Sequence, residues 1–170
     1  MKAMIDACHG FFTLPDEERE EFKSSNDLLE MFNCGTSYNH DLDKFLMWRD
    51  FLKARVHPEF YALSKPARFS EKAWDWIIHH AMNTDRGFEI LAANYYPPCP
   101  QPESAIGLPR HTDSGLFTLL IQNEMNGLEV EHNGKWVTID VPPNRFFVNL
   151  ADQMRILTNG KYKSVIHRAT

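Results

Sequence analysis

After Gly87 the spacing of apolar residues changes from about 3.6 to 2, and turn-forming residues then recur to the end of the chain. This change constrains the fold more than any other feature. Half-buried strands joined by short turns cannot form a helical bundle, and without helices between them they cannot form a parallel sheet, whose crossovers need a dozen or more residues. Phe88 to Tyr96 reads as a strand stopped by Pro97-Pro98, and residues 99–109 read as a loop on account of Pro100, Pro102, Gly107 and Pro109. His111 to Gln122 reads as one long strand, with Phe117 to Ile121 apolar enough on both faces to be buried. Leu128–His132 and Lys135–Ile139 form a hairpin around Asn133-Gly134, a dipeptide suited to the positive φ angles of a tight hairpin turn. Arg145 to Leu150 is a further strand, and a second turn at Asn159-Gly160 leads into a strand from Tyr162 to Ala169. The pattern predicts a mainly β sandwich or jelly roll and argues against a Rossmann sheet.

The first half reads differently. Met1, Met4, Ile5, Cys8, Phe11 and Phe12 recur at helical spacing, with Gly10 near the helix end. Leu14-Pro15-Asp16-Glu17-Glu18 then starts a second helix, running to about Lys23, with its proline early and its acids in the first turn. Residues 24–40 are polar and turn-rich, and Asp43 to Arg55 reads as a short helix stopped by His57-Pro58. Ser70 can cap a helix whose apolar stripe is Trp74, Ile77, Ile78 and Ala81, ending at Asp85-Arg86-Gly87. The expected division is a helical region over residues 1–85 and a strand-built domain over residues 86–170.

Charge and cysteine content narrow the function classes. Residues 1–50 carry 11 acids against 5 bases, while residues 51–170 carry 12 against 13, so no basic stripe suggests nucleic acid. Cys8, Cys34 and Cys99 are odd in number and include no Cys-x-x-Cys spacing, which supports neither a disulfide framework nor a cysteine zinc site. No apolar run approaches the roughly 20 residues of a membrane helix, and Asp6 and His9 interrupt the opening segment where a signal peptide would be apolar. The expectation is a cytoplasmic, monomeric protein acting on a small molecule, with neither nucleic acid nor membrane as partner.

One constellation carries chemistry. His111-Thr112-Asp113 lies on a predicted strand, where residues two apart share a face. By itself the pattern is weak, because such a pair is commonly a hydrogen-bonded surface couple. Placed in a buried strand, however, the Asp113 carboxylate needs a partner. His167, in an apolar alternation with Val165 and Ala169, is the best third donor, with 53 residues between it and Asp113. Two histidines and one carboxylate on one side of a metal leave the opposite side open, the donor set of non-haem Fe(II) oxygenases. A zinc hydrolase could use the same donors, but no nearby Glu or His is placed as a general base. Asn94 and Tyr96 share a face of an earlier strand and, taken alone, read as a polar strand end.

Three stretches together resemble the plant-type 2-oxoglutarate- and Fe(II)-dependent dioxygenases: Asn94-Tyr95-Tyr96-Pro97-Pro98-Cys99-Pro100-Gln101-Pro102-Glu103, Gly107-Leu108-Pro109-Arg110-His111-Thr112-Asp113, and Asn159-Gly160-Lys161-Tyr162-Lys163-Ser164-Val165-Ile166-His167-Arg168-Ala169. Weaker similarity extends to His9-Gly10-Phe11-Phe12 and Trp48-Arg49-Asp50-Phe51-Leu52-Lys53, and the flavour is that of flavonoid, salicylate and hyoscyamine hydroxylases. The resemblance implies a double-stranded β-helix (jelly roll) core with an N-terminal α-helical region. It implies Fe(II) on His111, Asp113 and His167, with Asn94 and Tyr96 beside 2-oxoglutarate and no catalytic side chain beyond the ligands. The implied reaction decarboxylates 2-oxoglutarate oxidatively to succinate and CO2 and hydroxylates or desaturates a small specialised metabolite, with O2 as co-substrate and ascorbate as an accessory reductant.

The chain also departs from that pattern. The family anchors 2-oxoglutarate with an Arg-x-Ser strand beyond the distal histidine, and this chain stops at Thr170. Arg168 adjoins His167 on a strand and so faces away from it. The Trp74 to Met82 stretch is shorter than the family's helical region there, and the family's opening strands precede Met1. These departures lead to the expectation of a truncated chain, and to the alternative of a catalytically inactive paralogue or fragment that retains metal binding.

Overall fold

The computed structural model describes residues 1–20, 22–23, 32–37, 46–57, 87–123 and 125–170. They fall into two compact units, Met1–Tyr38 with Trp48–Pro98, and Asn39–Met47 with Cys99–Thr170. This partition does not follow a boundary at residue 85, because the strand Glu89–Tyr95 is hydrogen-bonded to Asp50–His57.

In the first unit, helix α1 (Lys2–Phe12) buries Met4, Phe11 and Phe12, the stripe that the helical spacing predicts. Thr13 closes it, its hydroxyl donating to the His9 and Gly10 carbonyls. Pro15 precedes the short helix α2 (Asp16–Glu20), with Asp16, Glu17 and Glu18 in its first turn. Strands β1 (Phe32–Thr36), β3 (Asp50–His57) and β4 (Glu89–Tyr95) make an antiparallel sheet in the order β1-β3-β4. On β3, Leu52 and Ala54 are buried while Lys53 between them is exposed, and Cys34 of β1 lies buried opposite Leu52. Phe12 stacks on Tyr95 at 5.3 Å between centroids, fastening α1 to β4.

In the second unit, β2 (Leu46–Met47) pairs in parallel with β5 (Ala105–Ile106). Strands β6 (Leu108–His111), β11 (His167–Ala169), β8 (Leu128–His132) and β9 (Lys135–Thr138) form a sheet in that order, every pair antiparallel. Strands β7 (Phe117–Leu120) and β10 (Phe147–Leu150) form a second antiparallel pair. The β8–β9 hairpin turns at Asn133 (φ 51°) and Gly134 (φ 74°), as its sequence predicts. Across the sheet, the Arg168 guanidinium donates to Glu129 at 2.6 Å and lies 4.2 Å from the centre of the Trp136 ring. Arg168 therefore points to the strand face opposite buried His167.

Several predicted elements differ. Asp43 to Arg55 is not a helix: β2 and β3 occupy its described part, and β3 gains partners on both edges, which outweighs local helix preference. The polar stretch 24–40 contains β1. The long strand His111 to Gln122 divides into β6 and β7 around Ser114 and Gly115, so Asp113 lies in a loop. Nor is Phe117 to Ile121 buried on both faces, since Leu119 is 49% exposed. Residues 99–109 hold a helical turn (Pro102–Ser104), β5 and the start of β6. Of the strand from Tyr162, only His167–Ala169 is paired. An unanticipated helix, α3 (Asp152–Leu157), ends in the Asn159-Gly160 turn, both residues at positive φ, with the Gly160 amide donating to Arg155 O at 2.8 Å. The helix read from Ser70 falls outside the described residues. No helix among the described residues is long and apolar enough to cross a membrane.

Leu52 is 1% exposed at the centre of the first unit's sheet. Leu52→Ala is expected to lower the unfolding free energy by about 2–5 kcal/mol, read by denaturant titration. Val137→Ala, on a half-exposed strand face, is expected to cost less than about 1 kcal/mol.

Candidate metal centre

Antiparallel register brings the two histidines together. His167 stands opposite His111 across the β6–β11 pair, and their rings lie 4.2 Å apart between centroids. Each ring presents Nδ1 to a carbonyl two residues earlier: His111 to Pro109 O at 2.8 Å, His167 to Val165 O at 3.1 Å. A carbonyl oxygen only accepts, so both Nδ1 atoms carry a proton, which leaves Nε2 of each ring as the atom able to bind a metal.

Those Nε2 atoms face one carboxylate oxygen. Asp113 Oδ1 lies 3.6 Å from His111 Nε2 and 3.7 Å from His167 Nε2. The other oxygen, Oδ2, accepts from Thr118 Oγ1 at 2.6 Å and from Asn149 Nδ2 at 3.0 Å. Oδ1 accepts no hydrogen bond from the described side chains, so the carboxylate is anchored by one oxygen and presents the other. Burial alone would raise the Asp113 pKa; the Thr118 and Asn149 hydrogen bonds and the two imidazoles outweigh it, and the pKa lies below the usual aspartate value. Asp113 is thus ionised at neutral pH, as a metal ligand must be.

The donor set fits a small divalent ion. Nitrogen and oxygen donors bound at about 2.0–2.2 Å to one ion lie about 3.0 Å apart at a right angle and about 4.2 Å apart in line. The observed separations fall within that span, and all three donor atoms lie within 4.8 Å of one another. His167 is buried, while His111 and Asp113 are half-buried, so the cluster retains an accessible side. His111 and Asp113 converge because the chain bends after β6, not because they alternate along one strand.

Asn94 and Tyr96 belong to the first unit. Arg49 lies beside them, donating from Nη1 to Asn94 Oδ1 at 3.2 Å, and its charge acts on the Tyr96 side chain. Its Nε and Nη2 donate to Ser37 Oγ at 3.2 and 2.6 Å. Withdrawal of this guanidinium from water lowers its pKa, and no acid pairs with it among the described residues.

Sequence reasoning missed Thr118, Asn149 and Arg49. Asn149 left a trace, a polar residue within the apolar run Phe146-Phe147-Val148-Asn149-Leu150, and it is 2% exposed; buried amides are hydrogen-bonded, so a partner was implied. Thr118→Val is expected to weaken divalent-metal binding by about 10- to 100-fold in a calorimetric titration. The same change raises the Asp113 pKa in the metal-free fold. The stability lost relative to the parent chain is therefore full at neutral pH and shrinks as pH falls below about 4.

The chain is similar to known proteins. Residues 87–170 match the 2OG-Fe(II) oxygenase superfamily. The chain is 37% identical over 193 residues to 2-oxoglutarate-dependent dioxygenase 19 of Oryza sativa subsp. japonica, covering 99% of this chain and 57% of that protein. It is 35% identical over 195 residues to DMR6-LIKE OXYGENASE 2 of Arabidopsis thaliana, covering 99% and 56%. It is 33% identical over 194 residues to flavanone 3-dioxygenase 2 of Oryza sativa subsp. japonica, covering 98% and 56%. The chain thus spans a little over half the length of these relatives. The crystal structure of JOX2 in complex with 2OG, Fe and JA superposes with a TM-score of 0.83 at 27% identity, covering 99% of this chain and 59% of that one. The strand-rich fold is that of these oxygenases, with their jelly-roll core, and the chain belongs to the 2OG-Fe(II) oxygenase superfamily.

Proposed function

We propose that the protein bearing this chain is a 2-oxoglutarate-dependent Fe(II) dioxygenase that hydroxylates or desaturates a small specialised metabolite. The observation that carries this reading is the open three-donor cluster of two Nε2 atoms and one Oδ1, each held in place through its other polar atom. Bound there, Fe(II) would supply the redox chemistry that activates O2 and couples it to decarboxylation of 2-oxoglutarate.

The chain's own residues would set the geometry. His111, Asp113 and His167 would occupy one side of the ion and leave the other for co-substrates. The Pro109 and Val165 carbonyls keep both imidazoles in the metal-binding tautomer, and Thr118 and Asn149 hold the carboxylate still. Asn94, held by Arg49, and Tyr96 would supply hydrogen bonds beside an oxygen-rich co-substrate. The flavonoid-modifying relatives support a small metabolite as substrate. The reading includes a monomer working in the cytoplasm without nucleic acid or membrane as partner, and ascorbate as an accessory reductant.

The test combines anaerobic Fe(II) titration with measurement of succinate after admission of O2. One Fe(II) per chain is expected, together with succinate release that requires 2-oxoglutarate, iron and O2. His111→Ala and Asp113→Ala should each abolish stoichiometric binding, since the described part of that segment holds no other His or carboxylate to take over. Unchanged stoichiometry in both variants would overturn the metal assignment. Stoichiometric iron without succinate would instead favour a metal-binding protein without turnover.

A further inference from the structure

We infer that Asp152 is a positioning residue that locks together the two chain segments carrying the metal ligands. The inference rests on the metal reading of His111, Asp113 and His167 and extends it to a residue outside the donor set.

Asp152 opens α3, and its backbone amide and both carboxylate oxygens bond outside that helix. Its Oδ2 accepts from Thr112 Oγ1 at 3.1 Å, and Thr112 is the residue between the first two ligands. Its Oδ1 accepts a hydrogen bond from Ser164 Oγ, on the segment that leads into His167. Its backbone amide donates to Asp113 O at 2.9 Å. One residue therefore grips the Asp113 loop twice and the His167 segment once. Neighbouring amides add to the grip: Gln153 N donates to Gly115 O at 2.9 Å, Ala151 N to Leu116 O at 3.0 Å, and Val165 N to Leu150 O at 3.0 Å.

This arrangement answers a mechanical need. The segments around residues 112 and 164 lie far apart in sequence, and strand pairing joins them only along β6 and β11, where the register shifts between His167 and Ala169. Asp113 has no strand partner at all. Without a second tie, the loop bearing Asp113 could move relative to both imidazoles, and a metal site tolerates only about 0.5 Å of such looseness.

An acid in the first turn of a helix is ordinarily explained by the helix dipole. That explanation accounts for a negative charge near α3 but not for two hydroxyls from separate segments converging on its two oxygens. The Asp152 side chain does not cap its own helix, and no Lys or Arg pairs with it among the described residues. A carboxylate suits the task because it accepts at both oxygens, and bonds to an ionised acceptor are roughly twice as strong as neutral ones. Asparagine can keep both contacts, since either hydroxyl can turn to accept from its amide, whereas alanine loses both.

The test titrates Co(II), whose visible absorption reports coordination geometry, into the full chain and its variants. Asp152→Ala is expected to lower Co(II) affinity about 10- to 100-fold and to change the visible band. Asp152→Asn should recover most of the loss. Thr112→Val and Ser164→Ala should each produce part of the effect, and the double variant should match Asp152→Ala. His111→Ala serves as the control for the underlying site: if the parent chain binds no Co(II), or His111→Ala binds it equally well, the metal reading itself falls. If that control behaves as expected and folded Asp152→Ala binds Co(II) with parental affinity and spectrum, the positioning role alone is overturned, even where thermal stability drops. Should Asp152→Ala fail to fold by circular dichroism, the hydroxyl deletions decide, and parental affinity and spectrum in the double variant would overturn the role.

Discussion

Asp113 lies in a loop rather than in a strand, and half of its carboxylate is committed to protein. Oδ2 is held by Thr118 from the start of the following strand and by buried Asn149 from the strand paired with it, which leaves Oδ1 directed at two imidazole nitrogens. This division is what makes three side chains a candidate metal centre. An aspartate with both oxygens satisfied would be a structural residue, and one with neither satisfied would swing between rotamers. Thr118 and Asn149 are opposite each other in the β7–β10 register, so the alignment of that strand pair sets both donors to the carboxylate.

The histidines depend on a separate piece of architecture. Strand β11 is three residues long and central, pairing with β6 on one side and β8 on the other. Its short length is compensated by side chains: Arg168 bonds to Glu129 directly across from it and covers Trp136, while Arg110 pairs with Glu131 at 3.0 Å. The exposed face of β11 is thus cross-linked by charge and ring contacts, and the opposite face presents His167. Burial of His167 is tolerated because its Nδ1 donates to the Val165 carbonyl.

In the first unit, Arg49 plays the organising part. A half-buried guanidinium is costly unless its donors are used, and here they reach Ser37 and Asn94. The Asn94 side chain is thus held by a cation in the segment just before β3.

The sequence by itself determined the strand-rich second half, the Asn133-Gly134 hairpin, the first helix with its Met4, Phe11 and Phe12 stripe, and the three donor residues. These are short-range properties: a period of two, a dipeptide that accepts positive φ, a set of side chains able to bind metal. Where local preference and pairing disagreed, pairing won. Asp50–His57 is a strand because it has partners on both edges, although its neighbourhood reads as helical. Helix α3 left no periodic signal, being six residues long. Only the tertiary structure decided why the donors converge. His111 meets His167 through an antiparallel register between strands separated by more than 50 residues, and Asp113 reaches them because the chain leaves the strand at Thr112. Thr118, Asn149 and Asp152 enter the site the same way, through hydrogen bonds whose partners are fixed by the folded backbone. Hydrogen bonding is directional and short in range, so it cannot be read from a chain until the fold has placed donor and acceptor within about 3 Å of each other.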